Sequence, residues 1–308
     1  MHIKVEKRTS SAAGASDKPK HLLEVELDDS ATVDELKSAI HKHAKKLYPD
    51  RQRLTTADKA VLKPGESLSK YDIGDGAVVF LKDLGPQIGW QTVFYIEYIG
   101  PIIFHYFIYN FSELIYGQTV EHSAVQRYAY ILIMGHFIKR ELETAFVHRF
   151  SNGTMPLFNV FKNSGHYHIL SGLNLAYWLY SPATANGTLL AAKLDDPLML
   201  SLYIGIFLFA EISNLITHIT LRNLRPPGTR VRRIPTGYGF NLVSFPNYFF
   251  EIVAWTALTC MTRSLAALLF LVVATLQMYL WAVKKHKQYK CEFPDYPKSR
   301  KALLPFIL

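Results

Sequence analysis

At 308 residues, with 49% hydrophobic content, a mean hydropathy just above zero and a formal net charge of +9, the chain fits one large domain or two smaller ones. It is too polar to be built of membrane spans alone. Its two cysteines, Cys260 and Cys291, exclude a disulfide framework and a cysteine metal site. No soluble stretch interleaves basic residues with exposed aromatics, which argues against nucleic acid as the partner of that positive charge.

The first 86 residues are charged and soluble in character. MHIKVEK and HLLEVEL alternate with period two across a Ser/Ala/Gly/Lys-rich connection and predict a hairpin. A helix follows in DDSATVDELKSAIHKHAKKLYP, capped by Ser30 or Thr32, with Val33, Leu36 and Ile40 at helical spacing and Pro49 as its stop. RQRLTT and AVVFLKDL supply two further strands. The N-terminus carries no apolar core of a signal peptide, so this head is expected in the cytosol.

A composition shift near Leu84–Gln87 opens a second region, residues 87–308, in which long apolar runs dominate. Six candidate spans lie at roughly 89–111, 126–148, 164–181, 197–221, 240–261 and 264–284, each near the ~20 residues a bilayer core requires. The third contains Gly and His residues. The fifth opens on polar backbone breakers, which also fit a partly re-entrant segment. With the head cytosolic, the cytosolic side holds Arg149, Lys162, Arg222, Arg225, Arg230, Arg232, Arg233 and the tail from Lys284 to Lys301. The opposite side keeps Arg127, Lys193 and Arg263 mixed with acids, a positive-inside asymmetry that places both termini in the cytosol. Asn110 and Asn186, in N-x-S/T sequons, then fall at or near the lumenal side, and Asn152 on the cytosolic side.

Ionisable groups recur inside these spans. Each costs about 2.5–3.5 kcal/mol at mid-membrane on insertion scales, so an intramembrane polar site is expected. Glu97 lies in the first span. His136, Arg140 and Glu143 share a face of the second, with Lys139 beside them. Glu211, Asn214 and His218 share a face of the fourth. Packing ion pairs explain such residues too; an anionic ligand explains them together with the arginine-rich LRNLRPPGTRVRRIP, whose guanidinium forks match phosphate oxygens. That loop also suits anionic lipid headgroups. In SFPNYFFE, Asn247, Tyr248 and Glu251 place a phenol beside an amide and a carboxylate. This combination fits a proton donor, although interfacial tyrosines also serve as anchors. Metal binding is not expected, since HYH at 166–168 lacks further ligands at metal spacing. No G-x-G-x-x-G, Walker loop, G-x-S-x-G or HExxH motif is present.

The β-β-α-β-β order of the head and its L-x-P-G-x-S-L-x-x-Y-x-I-x-x-G ending resemble the ubiquitin-like fold; without a free Gly-Gly terminus, that implies docking or structure rather than conjugation. LRNLRPPGTRVRRIP, SFPNYFFE and KHKQYKCEFPDYPKSRKALLPFIL resemble the C-terminal half of the steroid 5-alpha-reductase-type membrane reductases. Together with TVFYIEYIGP, KRELETAFVHRFSNGTMPLFNVFKN and the head, the match narrows to the branch acting on very-long-chain trans-2-enoyl-CoA.

That resemblance implies a multi-pass helical protein of the endoplasmic reticulum membrane that performs the last step of fatty-acid elongation with NADPH, beside other elongation enzymes and membrane lipid. It assigns Asn214, Arg225, Arg233, Asn247, Glu251 and Tyr289 to the cofactor, with Arg140 and His286 joining them. His218 stands where the family has an aspartate. Phe137 stands where the steroid enzymes have a tyrosine, which leaves Tyr248 as the proton donor and Glu97 as its polar partner. A steroid or polyprenol reductase and a non-catalytic scaffold are the alternatives.

Overall fold

The computed structural model describes residues 1–7, 20–150, 153–226, 229 and 232–306. Asn152, Arg230 and the connection between the first two strands, residues 8–19, lie outside them. The chain divides into two compact units, one formed by Met1–Trp90 with the segment around Thr154–Pro156, the other by the remaining helices.

In the first unit, strands β1 (His2–Lys7) and β2 (Lys20–Glu26) pair antiparallel, with an irregularity between Val5 and Glu6. Helix α1 (Val33–His43) follows, then β3 (Gln52–Thr55) and β4 (Val78–Asp83). The sheet order is β2-β1-β4-β3, with β1 and β4 parallel and β3 and β4 antiparallel. This is the topology that the ubiquitin-like resemblance implies. Leu36 and Ile40 of α1 bury completely among Ile3, Val5, Leu54 and Leu81, at about 1.5–3 kcal/mol for each large side chain. Thr32, not Ser30, caps α1 in a reciprocal box with Glu35. The helix ends six residues short of Pro49, at His43 with Ala44 as its cap, because the chain turns there to bury Leu47. Pro49 instead opens a single 3-10 turn. A short ribbon of β5 (Gln87–Gly89) and β6 (Thr154–Pro156) completes this unit.

The second unit is helical. Its elements are α2 (Trp90–Asn110), α3 (Ser112–Tyr116), α4 (Ala124–Phe146), α5 (Phe158–Ser164), a π-helix over Gly165–Asn174, α6 (Leu175–Leu179), α7 (Leu189–Leu194), α8 (Pro197–Asn223), α9 (Pro246–Thr262) and α10 (Leu265–Glu292). Helix therefore forms in each of the six candidate spans. Among the described residues, two helices, α8 and α10, are long and apolar enough by composition to cross a membrane. The others fall short for local reasons. Helix α4 carries Lys139, Arg140, Glu141 and Glu143 within two turns, α9 has 17 residues, and the third candidate is divided between the π-helix and α6.

Polarity in these helices is inverted relative to a water-soluble bundle. On α8, Glu211, Asn214 and His218 are buried while Ile212, Ile216 and Ile219 face outward; on α4, His136 and Glu143 are buried while Ile131, Ile138 and Leu142 face outward. Exposed apolar faces of this extent mark a surface that meets lipid or another protein.

Helix α2 meets the π-helix through an unusual contact. Pro101 removes the N–H that would serve the Glu97 carbonyl. One residue earlier, the His168 ring lies across Gly100 and hydrogen-bonds the Ile96 carbonyl at 2.7 Å. A Cβ at Gly100 would overlap that imidazole. Gly100→Ala is therefore expected to destabilise the protein by about 1–3 kcal/mol, read as a lower thermal midpoint in detergent. Gly135→Ala on α4, where a Cβ meets nothing, should leave the midpoint unchanged or raise it.

Candidate active site

The amphipathic faces of α4, α8 and α9 meet in one buried polar network. His136 places Nδ1 2.8 Å from Glu211 Oε1 and Nε2 3.4 Å from Glu251 Oε1, bridging α8 and α9 from α4. Lys139 Nζ lies 2.8 Å from Glu211 Oε2 and donates to Asn214 Oδ1 at 2.7 Å. Asn214 passes the connection on, donating to the Asn247 carbonyl at 2.9 Å and to Glu251 Oε2 at 3.1 Å.

One turn further along α4, Arg140 donates to Glu143 Oε2 at 2.5 Å and to the Tyr98 hydroxyl of α2 at 2.8 Å, and stacks its guanidinium 5.1 Å from the Tyr98 ring. His218 Nδ1 stands 3.1 Å from Glu143 Oε1 and 3.2 Å from Arg140 Nη1. Glu143, His148 and His218 bring ligand atoms within 4.8 Å of one another, a spacing that suits a metal ion. Arg140 already occupies hydrogen-bonding positions on two of the three, and Lys139 is 3.7 Å from Glu143. Two cations at those distances repel a dication, so the cluster reads as an ion-pair network.

Five of the residues assigned from the sequence thus come together here: Arg140, Asn214, His218, Asn247 and Glu251. A second group lies where α9 and α10 meet the chain's last residues. His286 is buried with Nδ1 2.6 Å from Ser244 Oγ, which also lies 2.6 Å from the Tyr296 hydroxyl. Tyr289 stacks between Phe293 and Tyr296, with ring centroids at 5.9 and 5.5 Å. Tyr248 stacks on Phe245 and accepts a hydrogen bond from Lys285 at 3.1 Å.

Arg225 exchanges main-chain hydrogen bonds with Arg149: each guanidinium donates to the other residue's carbonyl, Arg225 at 2.6 Å. Arg233 is exposed. Glu97 is buried on α2 and hydrogen-bonded to Asn163. The expected pairing of Glu97 with Tyr248 is not seen: Glu97 bonds Asn163, and the Tyr248 hydroxyl accepts from Lys285. Sequence reasoning also passed over Tyr98, whose buried hydroxyl serves Arg140. The signal was present, since a tyrosine follows Glu97 directly in YIEYIGP.

Glu143 is the counter-charge on which Arg140, Lys139 and His218 converge. Glu143→Ala leaves these groups buried without it and should cost about 3–5 kcal/mol, measured as loss of thermal stability in detergent. Glu143→Gln, which keeps the shape and one acceptor oxygen, should cost less.

Comparisons with known proteins give the following. Residues 153–308 match the family profile described as 3-oxo-5-alpha-steroid 4-dehydrogenase, and residues 16–82 match the ubiquitin family. A Schizosaccharomyces pombe protein bearing the name enoyl reductase is 50% identical over 287 residues, 93% of this chain and 94% of its own length. The very-long-chain enoyl-CoA reductase of Dictyostelium discoideum is 40% identical over 289 residues, covering 91% and 93%. A Caenorhabditis elegans protein assigned to the same enzyme is 40% identical over 296 residues, covering 92% and 93%.

Proposed function

From the premise that the chain belongs to the very-long-chain enoyl-CoA reductases within the 3-oxo-5-alpha-steroid 4-dehydrogenase family, we propose that it reduces the C2=C3 bond of very-long-chain trans-2-enoyl-CoA, the last step of fatty-acid elongation, with NADPH. It does so as a six-span protein of the endoplasmic reticulum membrane, with its ubiquitin-like head (1–86), its tail and its arginine loop in the cytosol and residues 87–308 as the catalytic region. Other elongation enzymes are its neighbours.

The observation that carries this reading is the inverted polarity of α4 and α8, which gathers His136, Arg140, Glu143, Glu211, Asn214 and His218 inside an apolar exterior. A long acyl chain needs lipid-like surroundings, and two cytosolic polyanions need cations at the cytosolic end.

The chain's own polar atoms fit a nicotinamide dinucleotide. Asn247 Oδ1 and Glu97 Oε1 are buried acceptors without a hydrogen-bond partner, and Arg225 Nε is a buried donor without one. A carboxamide complements the first two and a phosphate the third. We assign Asn214, Asn247, Glu251, Arg140 and His218 to hold the cofactor from the network side, and Arg225, Arg233, Tyr289 and His286 from the cytosolic side. Bound there, reduced nicotinamide supplies the hydride for the β-carbon. Tyr248 gives its hydroxyl proton to the α-carbon of the resulting enolate, and Glu97 supports the polar surroundings.

The test is NADPH consumption by the purified protein with a long trans-2-enoyl-CoA, beside a 3-oxo-4-ene steroid. The enoyl-CoA should be turned over and the steroid not. Tyr248→Phe should lower turnover by about 10²–10⁴-fold while NADPH binding is kept. Near-normal turnover in that variant would remove Tyr248 from the mechanism.

A further inference from the structure

We infer that Lys285 is a positioning residue for the proton transfer from Tyr248, a role that rests on Tyr248 being the proton donor. Three contacts converge on this one ammonium. Its Nζ donates to the Tyr248 hydroxyl oxygen at 3.1 Å, and it lies 5.6 Å from the centroid of the Tyr248 ring and 5.8 Å from that of Phe245. The two rings stack 5.6 Å apart at 22°, so the cation sits against an aromatic pair that fixes where it can be.

The position follows from α10. Ala282 and His286 are buried and Tyr289 half-buried on the face turned to α9, and Lys285 lies beside that face, one turn after Ala282. Phe245, Ala282 and Leu303 form a small apolar core there, with Tyr248, Ile252, Tyr279 and Val283 packed against it. Other ionisable groups near this junction are Glu251 on α9 and His286 and Tyr289 on α10. Glu251 is engaged by Asn214 and His286 by Ser244.

A lysine N–H donated to the phenol oxygen does two things. It occupies one lone pair, which turns the phenol's own O–H away from Lys285. It also places a positive charge where negative charge develops as the proton leaves. In the step itself the O–H bond of Tyr248 breaks and its electron pair stays on oxygen. The proton forms the new bond at the α-carbon with the π pair of C2=C3, displaced by hydride addition at the β-carbon from reduced nicotinamide. The phenolate then recovers a proton from water.

The experiment compares wild type, Lys285→Met, Lys285→Ala, Lys285→Arg and Tyr248→Phe as full-length protein in detergent, measuring kcat, KM and equilibrium binding of NADPH. Lys285→Met should lose about 10²-fold in kcat, with KM and NADPH affinity within about twofold of wild type. Lys285→Arg should recover most of the loss, and an added primary alkylamine should partly rescue Lys285→Ala. An unchanged kcat in Lys285→Met overturns the inference. So does loss of NADPH binding that Lys285→Arg fails to repair, since that assigns Lys285 to the fold. Normal turnover in Tyr248→Phe would instead sink the underlying assignment of Tyr248.

Discussion

Charges placed in apolar helices have to find one another, and in this protein that requirement fixes how the helices meet. Glu143, Glu211 and Glu251 come from three helices and face Lys139, Arg140, His136 and His218 from two. Left unpaired, the three carboxylates, Lys139 and Arg140 at about 3 kcal/mol each would exhaust a typical folding stability of about 5–15 kcal/mol. Satisfied, they specify one register between α4, α8 and α9, since His136 reaches Glu211 and Glu251 in one rotation of α4 alone. The apolar contacts of Phe137 and Trp255 with the His136 ring then close the network from below.

The same constraint shapes what the network leaves open. Its interior carboxylates and cations are committed to each other, and that commitment holds them in place. Glu211 Oε2 accepts no hydrogen bond but faces Lys139 Nζ at 2.8 Å, whereas Asn247 Oδ1, Glu97 Oε1 and Arg225 Nε are buried polar atoms without a hydrogen-bond partner. A rigid, mutually paired centre with unfilled donors and acceptors around it is a suitable frame for a polar ligand, because orienting those groups costs little at the moment of binding.

Much of this was legible in the chain. Period-two patterning and the helical spacing of Val33, Leu36 and Ile40 specify the head, since both are local properties of sequence; the choice of Thr32 over Ser30 as cap came from the structure. The helical faces His136–Arg140–Glu143 and Glu211–Asn214–His218 were readable from spacing alone. Spacing does not say which faces meet, so the Tyr248–Lys285 contact across 37 positions was hidden and a pairing with Glu97 stood in its place. Nor does it show the π-helix. That wide turn accompanies packing, with His168 over Gly100 and the Phe104 ring against Gly172, where a Cβ would come within 2.9 Å. Lys285 itself was counted only among the cations of the cytosolic tail, since nothing in a run of lysines marks one of them as facing a phenol.

Helix α10 has 28 residues, a length of about 42 Å against a hydrocarbon core of about 30 Å. On the topology proposed above, its overhang of two turns rises through the headgroup layer, and that stretch carries Lys285. A phenol hydrogen-bonded to such a residue stands at the waterline of the bilayer. If Tyr248 is the proton donor proposed above, each turnover would strip it of a proton that the bulk cytosol itself could restore, and the enzyme would have no need of a buried proton wire.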